Sequence, residues 1–330
     1  MKKLFGLFIA MIMIVSCFAA LADDPIVLTY AEVNPIEDKT VVGNVALDFK
    51  AKLEELSGGQ IQVDLQGSGV LGSEAQVLAG VLSQDGTVDI VRISAFALNQ
   101  YGCTKSVFLS LPYVFTSEDH YWNFVHSDLA KEFLAEPTEK GMPLKGLAYG
   151  EAGFRHFFFK KEVHEIADLK DMKIRVSDDP IMQGLVKGLG ANPTTVSFGE
   201  LYTALQSGVV DAAEQPSGNY LSNSFQEVAP YLLKDGHTLG TIELIATQTG
   251  LNKLNEEQIG WVQEAADYAM IKCQENVVRL QEEAEATLTE KGATIIEVED
   301  KTPWVEACKQ VITDNTKGLE ADLEAILALQ

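Results

Sequence analysis

Arginine is what this sequence has least of among its charged residues. Only four of its 25 basic side chains are arginine (Arg92, Arg155, Arg175 and Arg279), and 48 acids outnumber those 25, for a formal charge of −23 over 330 residues. So large a deficit of positive charge excludes an extended phosphate-contacting face, because nucleic-acid binding rests on clustered Lys and Arg. It also sets the chain against an anionic membrane surface. Cysteine is as scarce, with four thiols and no CxxC spacing. That is neither a disulfide framework nor a zinc site. Cys103, Cys273 and Cys308 read as small buried hydrophobes, with a Cys273–Cys308 bridge as the alternative. Catalytic signatures are missing too: no GxSxG, no HExxH and no Cys-His arrangement of known spacing. The five histidines (His120, His126, His156, His164, His237) form no i,i+4 pair that would hold a metal. The expectation is therefore no enzyme, no metal and no cofactor.

Long apolar runs are absent except at the start. Lys2-Lys3, the apolar stretch Leu4 to Val15 and Ala20-Leu21-Ala22 together form an export signal, with 1–22 as the cleaved peptide. Ile14-Val15-Ser16-Cys17 also resembles a lipobox, which would instead anchor the protein through Cys17. Either route predicts a periplasmic location.

The remainder is rich enough in apolar residues, at 46% for the whole chain, to build a large core. Strand-like runs at 26–31, 61–65 and 89–94 alternate with helical patterns at 41–56 and 73–82. A second alternation begins near Leu144, with short strands at 147–149, 157–159, 173–176, 194–196 and 210–213, a turn at 166–169 and helices at 180–189 and 199–206. This is α/β patterning with a largely parallel sheet. From Glu256 to Lys291 the pattern is helical for more than thirty residues, about 45–50 Å at 1.5 Å per residue, so this helix spans two lobes. Gly67-Ser68-Gly69-Val70-Leu71-Gly72 matches GxGxxG. It follows the second strand rather than the first, and Asp89 begins its strand instead of ending one, so a tight strand-to-helix turn is the better reading than a dinucleotide site.

Three of the four arginines sit inside apolar strand patterns: Ile90-Val91-Arg92-Ile93, Phe154-Arg155-His156-Phe157 and Ile174-Arg175-Val176. A guanidinium removed from water needs a partner, at a cost of several kcal/mol if it has none. Internal carboxylates would serve, but three such arginines together favour one shared external anion. Arg presents a planar fork that matches a carboxylate, which Lys does not.

The run Gly153-Phe154-Arg155 followed by Ile166-Ala167-Asp168-Leu169-Lys170-Asp171-Met172-Lys173-Ile174-Arg175-Val176 resembles the TRAP-type (tripartite ATP-independent periplasmic) solute-binding proteins of the DctP-like family. The likeness continues through Leu189 to Pro193, Glu200 to Asp211 and Ala213-Glu214-Gln215-Pro216, and reaches back to Leu71-Gly72-Ser73-Glu74 and Leu111-Pro112-Tyr113. It implies a two-lobed periplasmic-binding-protein-like α/β fold, with a ligand cleft between lobes and the long helix across both. Lobe I would be 23–152 plus 241–280, and lobe II 153–240 plus 281–330. By the resemblance, Arg175 matches the principal carboxylate-binding Arg, Arg155 its supporting Arg, and Phe198 a ring packed on the ligand. Gln215 stands where the family usually has Asn. Asp171 replaces a usual Gly, and Ser177-Asp178 departs from the Pro-Asn of sialic-acid binders. Arg92 lies outside the family signature and could take a second carboxylate or pair with Glu74 or Glu151. Glu74, Ser94, Tyr149, Glu151 and Asp178 could accept from ligand hydroxyls, and Asn34 completes the expected ligand-binding set. The implied function is capture of a small organic acid and its delivery to membrane permease subunits by a monomeric protein. The acid would be a sugar acid such as a uronate or aldonate, or a C4-dicarboxylate. An extracytoplasmic sensory protein for an organic acid is the alternative.

Overall fold

A computed structural model describes residues 24–330; the expected export signal and Cys17 lie outside the described residues. Among the described residues there are nine strands: β1 (Ile26–Ala31), β2 (Ile61–Gln66), β3 (Ile90–Ser94), β4 (Leu144–Phe159), β5 (Lys173–Val176), β6 (Asn192–Thr195), β7 (Ala212–Pro216), β8 (Tyr231–Thr247) and β9 (Thr294–Glu297). They form one sheet in the order β2-β1-β3-β8-β4-β7-β5-β6, with β9 also on β8. Pairs β1–β2, β1–β3, β5–β6, β5–β7 and β8–β9 are parallel, while β3–β8, β4–β8 and β4–β7 are antiparallel.

The two long strands join the halves. The first part of β4 and the last part of β8 continue the sheet of β1 to β3. The rest of each belongs with β5, β6, β7 and β9. The sequence pattern splits β4 into two short strands and gives no strand at β8. Polar and glycine-containing stretches, Gly150 to Gly153 and Lys234 to His237, interrupt the apolar runs there. Both strands are continuous nonetheless, and the register between them slips at Glu151/Phe154 and again at Arg155/Phe157. The crossing leaves no room for side chains. A Cβ on Gly240 would stand 2.7 Å from the Gly153 carbonyl and 2.9 Å from Pro216 Cγ. Gly153 itself has φ +88°, which favours a residue without Cβ.

The long helix Glu256–Glu290 starts from an Asn255–Gln258 capping box. Its Val262, Ala265, Ala269, Cys273 and Val277 pack into the first lobe's core, whereas Leu288 enters a cluster with Phe158, Leu205 and Leu232 of the second. The expected two-lobe α/β architecture with a spanning helix is what is found. Leu319, Leu323, Ile326 and Leu329 return to the first lobe's core, and His120 Nε2 lies 2.8 Å from the Ile326 carbonyl.

Other local expectations resolve simply. The GxGxxG segment is a turn, with Ser68, Gly69 and Gly72 at positive φ, and it ends on the Ser73–Gln76 capping box of helix Glu74–Ser83. Asp171, where a Gly is usual, has φ +65°, a conformation Asp tolerates better than most residues. Cys103, Cys273 and Cys308 are free and buried, so the Cys273–Cys308 bridge is not formed; Cys273 Sγ instead donates to the Glu151 carbonyl at 3.1 Å.

Candidate functional site

A cavity of about 280 Å³ lies between the lobes, bounded on one side by β3 and helix Glu74–Ser83 and on the other by β5, β7 and the segment Thr195 to Phe198. Nine of the eleven expected site residues border it: Asn34, Glu74, Arg92, Ser94, Arg155, Arg175, Asp178, Phe198 and Gln215. The structure does not bring Tyr149 and Glu151 there. Both are fully enclosed in the first lobe, Tyr149 against Phe124, while Glu151 Oε1 accepts from Trp122 Nε1 at 2.6 Å. The cause is the bulge in β4. Two residues lie between Glu151 and Phe154 while one lies between their partners Thr241 and Leu239. One extra residue reverses which face the following side chains take. Arg155 therefore reaches the cavity although Tyr149 and Glu151, of the same parity, do not.

The three strand arginines are not equivalent. Arg92 is held by Glu32 through two contacts, Nε to Oε2 at 2.6 Å and Nη2 to Oε1. Glu32 is enclosed, and its Oε1 also accepts from the backbone N–H and side-chain amide of Asn34, each at 2.8 Å. Burial opposes the Arg92 charge, but Glu32 outweighs it and raises the pKa. Arg155 is gripped in the same way by Glu214, with Nε on Oε2 and Nη2 on Oε1 at 2.9 Å. Burial works against the Glu214 charge as well, yet Arg155 and His237 bring its pKa down to about 2. The expectation of one external anion shared by three arginines is thus corrected for two of them. Neither Glu74 nor Glu151 is the partner of Arg92. A signal for Glu32 existed: it stands at the end of the first strand run, beside β3, but 60 residues before Arg92.

Arg175 differs. It is 4% exposed and makes no ion pair among the described residues. Its Nε donates to the Val196 carbonyl at 2.9 Å, and its Cζ lies 5.9 Å from the centre of the Phe198 ring, within cation–π range. Burial lowers its pKa from 12.5 to about 10; Glu214 and, more weakly, Glu74 work the other way, while Arg155 adds to the fall. Glu74 is the counterpart on the opposite wall. Its Oε1 accepts from the Ser94 N–H at 2.7 Å. Burial raises its pKa, although Arg92 and that N–H work in the other direction. Gln215 and Asn219 are both buried at the cavity edge, with Asn219 Nδ2 3.4 Å from Gln215 Oε1.

Sequence reasoning missed several bordering residues, among them Phe96, Tyr101, Thr241 and Asn219. Asn219 was accessible in principle, being four residues past Gln215 where a short helix follows β7. Phe96 and Thr241 depend on the β3–β8 register. No group of three or more metal-ligating side chains occurs among the described residues.

Comparison with known proteins places this geometry. The model of bacterial extracellular solute-binding protein family 7 (DctP) matches residues 30–317. A solute-binding protein of Verminephrobacter eiseniae is 30% identical, over 87% of this chain and 85% of its own length. The crystal structure of a TRAP periplasmic solute-binding protein from Pseudomonas putida F1 with bound D-glucuronate superposes with a TM-score of 0.87 and 28% identity, covering 92% of this chain and 98% of that one. A corresponding protein from Bradyrhizobium sp., in complex with α/β-D-galacturonate, gives a TM-score of 0.84 and 28% identity, over 91% and 99%.

Proposed function

The chain belongs to bacterial extracellular solute-binding protein family 7 and is a TRAP-type solute-binding protein, and from that premise we propose that it captures a hydroxylated monocarboxylic acid of the uronate or aldonate type and delivers it to a membrane permease. The observation that carries the ligand class is the charge count around the cavity. Of its three arginines, Arg92 and Arg155 already have carboxylate partners in Glu32 and Glu214, and among the described residues only the Arg175 fork lacks one. One uncompensated guanidinium suits one ligand carboxylate, bound in two contacts.

The opposite wall supports the same reading. Glu74, Asp178 and Ser94 border the cavity and offer hydroxyl partners, while a second ligand carboxylate near Glu74 would meet like charge. Phe198 and Phe96 supply flat apolar faces for a ring or chain. The cavity volume is at the small end of ligand sites, where a six-carbon acid belongs. The uronates in the two structural relatives are of this class. Arg155 retains a supporting role through its remaining nitrogen, and Gln215 lengthens the reach of the position beside it.

We place the protein in the periplasm, exported through residues 1–22 or tethered through Cys17; among the described residues no helix is long and apolar enough to cross a membrane. Titration calorimetry of ligand-stripped protein with D-glucuronate, D-galacturonate, D-gluconate and succinate tests the ligand class. At least one hydroxylated monocarboxylate should bind tenfold or more tightly than succinate, about 1.4 kcal/mol. Tighter binding of succinate than of every sugar acid would reject it.

A further inference from the structure

The wall behind Arg155 holds a second buried cluster of charge. Between the β4–β8 pairs Arg155–Thr238 and Phe157–Leu233, four residues of β8 (Lys234, Asp235, Gly236, His237) face a single residue of β4, His156. This wide bulge turns Asp235 and His237 inward, and neither is exposed. The His237 ring stacks on Phe157 with centroids 4.3 Å apart. Its Nδ1 is 2.7 Å from Asp235 Oδ2, and its Nε2 is 3.6 Å from Glu214 Oε2, the oxygen that also contacts Arg155 Nε.

Each protonation state of the ring leaves a different deficit. A proton on Nε2 alone would set the Nδ1 lone pair against a carboxylate oxygen at hydrogen-bond distance. A proton on Nδ1 alone satisfies Asp235 but turns the Nε2 lone pair toward Glu214, and Nε2 has no hydrogen-bond partner. The imidazolium alone presents a donor to both carboxylates. It also balances the cluster: Arg155 and His237 against Glu214 and Asp235 sum to zero. With neutral His237 one negative charge is left buried in the wall of an anion-binding cavity, and Glu214 loses the contact that keeps it a carboxylate aligned on Arg155.

The other groups around the ring do not supply the charge. His156 accepts from the Gly236 N–H through Nδ1 at 3.0 Å, and burial keeps it neutral, with a pKa of about 3. Tyr113 contributes its backbone N–H to the His237 carbonyl at 2.8 Å. Cys308, coupled to Asp235, has its thiol pushed up to about 12 by burial. Lys234 is engaged by Glu285 and Glu297 on the outer side, and Lys301 stands beyond Gly236. A cavity of about 600 Å³ bordered by His156, Gly236, Lys234 and Lys301 brings solvent to this side of the cluster.

We propose that His237 is a positioning residue of the carboxylate site: an imidazolium clamped between Asp235 and Glu214 that holds the Arg155–Glu214 pair in place and keeps the cavity wall from carrying net negative charge. This rests on the reading of the cavity as a carboxylate site. Ligand binding and protonation of His237 are then linked, and affinity falls on the alkaline side as the ring loses its proton. Burial disfavours that charge, but Asp235 and then Glu214 raise the pKa of the ring.

Two measurements on the full protein test it. Long-range ¹H–¹⁵N spectra of the histidine rings, with the His237 signals identified by their loss in His237→Gln, should show both nitrogens in the imidazolium pattern at neutral pH. A neutral tautomer at neutral pH would overturn the inference. Calorimetry with D-glucuronate and D-galacturonate across pH should show wild-type affinity falling by about tenfold, the scale of one charge about 12 Å away at an effective dielectric of 20, as the ring deprotonates. In Asp235→Asn that fall should move to lower pH, because the ring has lost its principal partner. A purely structural contribution would lower affinity evenly at all pH values and leave the limb where it was, which also overturns the inference. If neither uronate, nor any acid of the wider panel, binds the wild type, the cavity reading fails and this role with it; a neutral ring in a protein that does bind defeats the role of His237 alone.

Discussion

Replacing Arg175 by methionine should weaken the protein as a receptor and strengthen it as a folded chain. In the structure the guanidinium is buried, bonded once to the Val196 carbonyl and unpaired with any carboxylate among the described residues. The fall of its pKa from 12.5 to about 10 corresponds to roughly 3 kcal/mol by which the charged form is disfavoured. Methionine removes that burden and fills most of the stem volume, while the lost bond to Val196 takes back about 1–2 kcal/mol. The net expectation is a gain of about 1–2 kcal/mol, a rise of about 1.5–3 °C in melting temperature for a chain of this size. Ligand binding moves the other way. Truncating one partner of a buried, hydrogen-bonded charge pair costs about 2–5 kcal/mol, or roughly thirtyfold to several thousandfold in affinity. The assay is thermal unfolding of wild type and Arg175→Met, each stripped of carried-over ligand by denaturation and refolding, with and without D-glucuronate. At a hundred times its dissociation constant the acid should add about 2.7 kcal/mol to the wild type and no more than about 0.9 kcal/mol to the variant. A stripped variant that melts below the stripped wild type would refute the reasoning, since the guanidinium would then have a partner in the empty protein. Retained affinity would refute it from the other side.

Two enclosed carboxyls should make stability fall with rising pH. Glu151 is raised from 4.5 to about 8, first by burial and then by Glu118, and burial holds Glu243 well above the usual range, with both oxygens unpartnered. Because the folded pKa exceeds the unfolded one, their contribution is intact below about 4.5 and drains away as pH climbs through the folded values. Glu151→Gln should match the wild type in acid and surpass it by a few kcal/mol above pH ~8, read as urea midpoints at both pH values; a constant difference would contradict the shift. For the internal pair, Arg92→Ala should cost about 3–5 kcal/mol by stranding Glu32, while Arg92→Met with Glu32→Gln should recover most of it. In that double variant uronate affinity should change less than tenfold in calorimetry, whereas collapse of binding would mean that Arg92 serves the ligand directly. Gly240→Ala should cost about 1–3 kcal/mol through overpacking at the strand crossing, seen as a lowered melting temperature; an unchanged value would show that the crossing can relax.

Much of this arrangement was legible because local rules govern it. The strand runs of the first lobe, the tight turn at the GxGxxG segment and the periodicity of the long helix each depend on residues within one or two turns. What depends on register was not legible. Arg92 and Glu32 meet across 60 residues, and Arg155 and Glu214 across 59, so either pairing follows only once strand order is known. The bulge between Glu151 and Phe154 is a single extra residue in an otherwise alternating strand. Without it, Tyr149, Glu151 and Arg155 would share one face, which is the grouping the sequence suggests. Strand β8 escaped because its bulge, Lys234 to His237, has the composition of a surface turn, although two of those four residues are fully buried.

The scarcity of arginine therefore has a narrower meaning than its placement in apolar strands first conveys. An arginine in a dry strand signals a buried anion, not the origin of that anion. Two of the three cavity arginines have theirs from the chain itself, and in the proposed site they would act on a ligand mainly through geometry and through the neutrality of the wall. Only the third has a charge left to give. The capacity of such a site for anions is set by uncompensated guanidinium, here one, rather than by the number of arginines that border it. The same reasoning explains how an acidic protein can hold an acidic ligand: the 48 acids are mostly at a solvated surface, where salt screens them beyond about 8–10 Å, while Arg175 acts across a few ångströms in a place that water leaves when the acid enters. Neutralising Arg175 should thus weaken binding at least about thirtyfold, although it changes a net charge of −23 by only one.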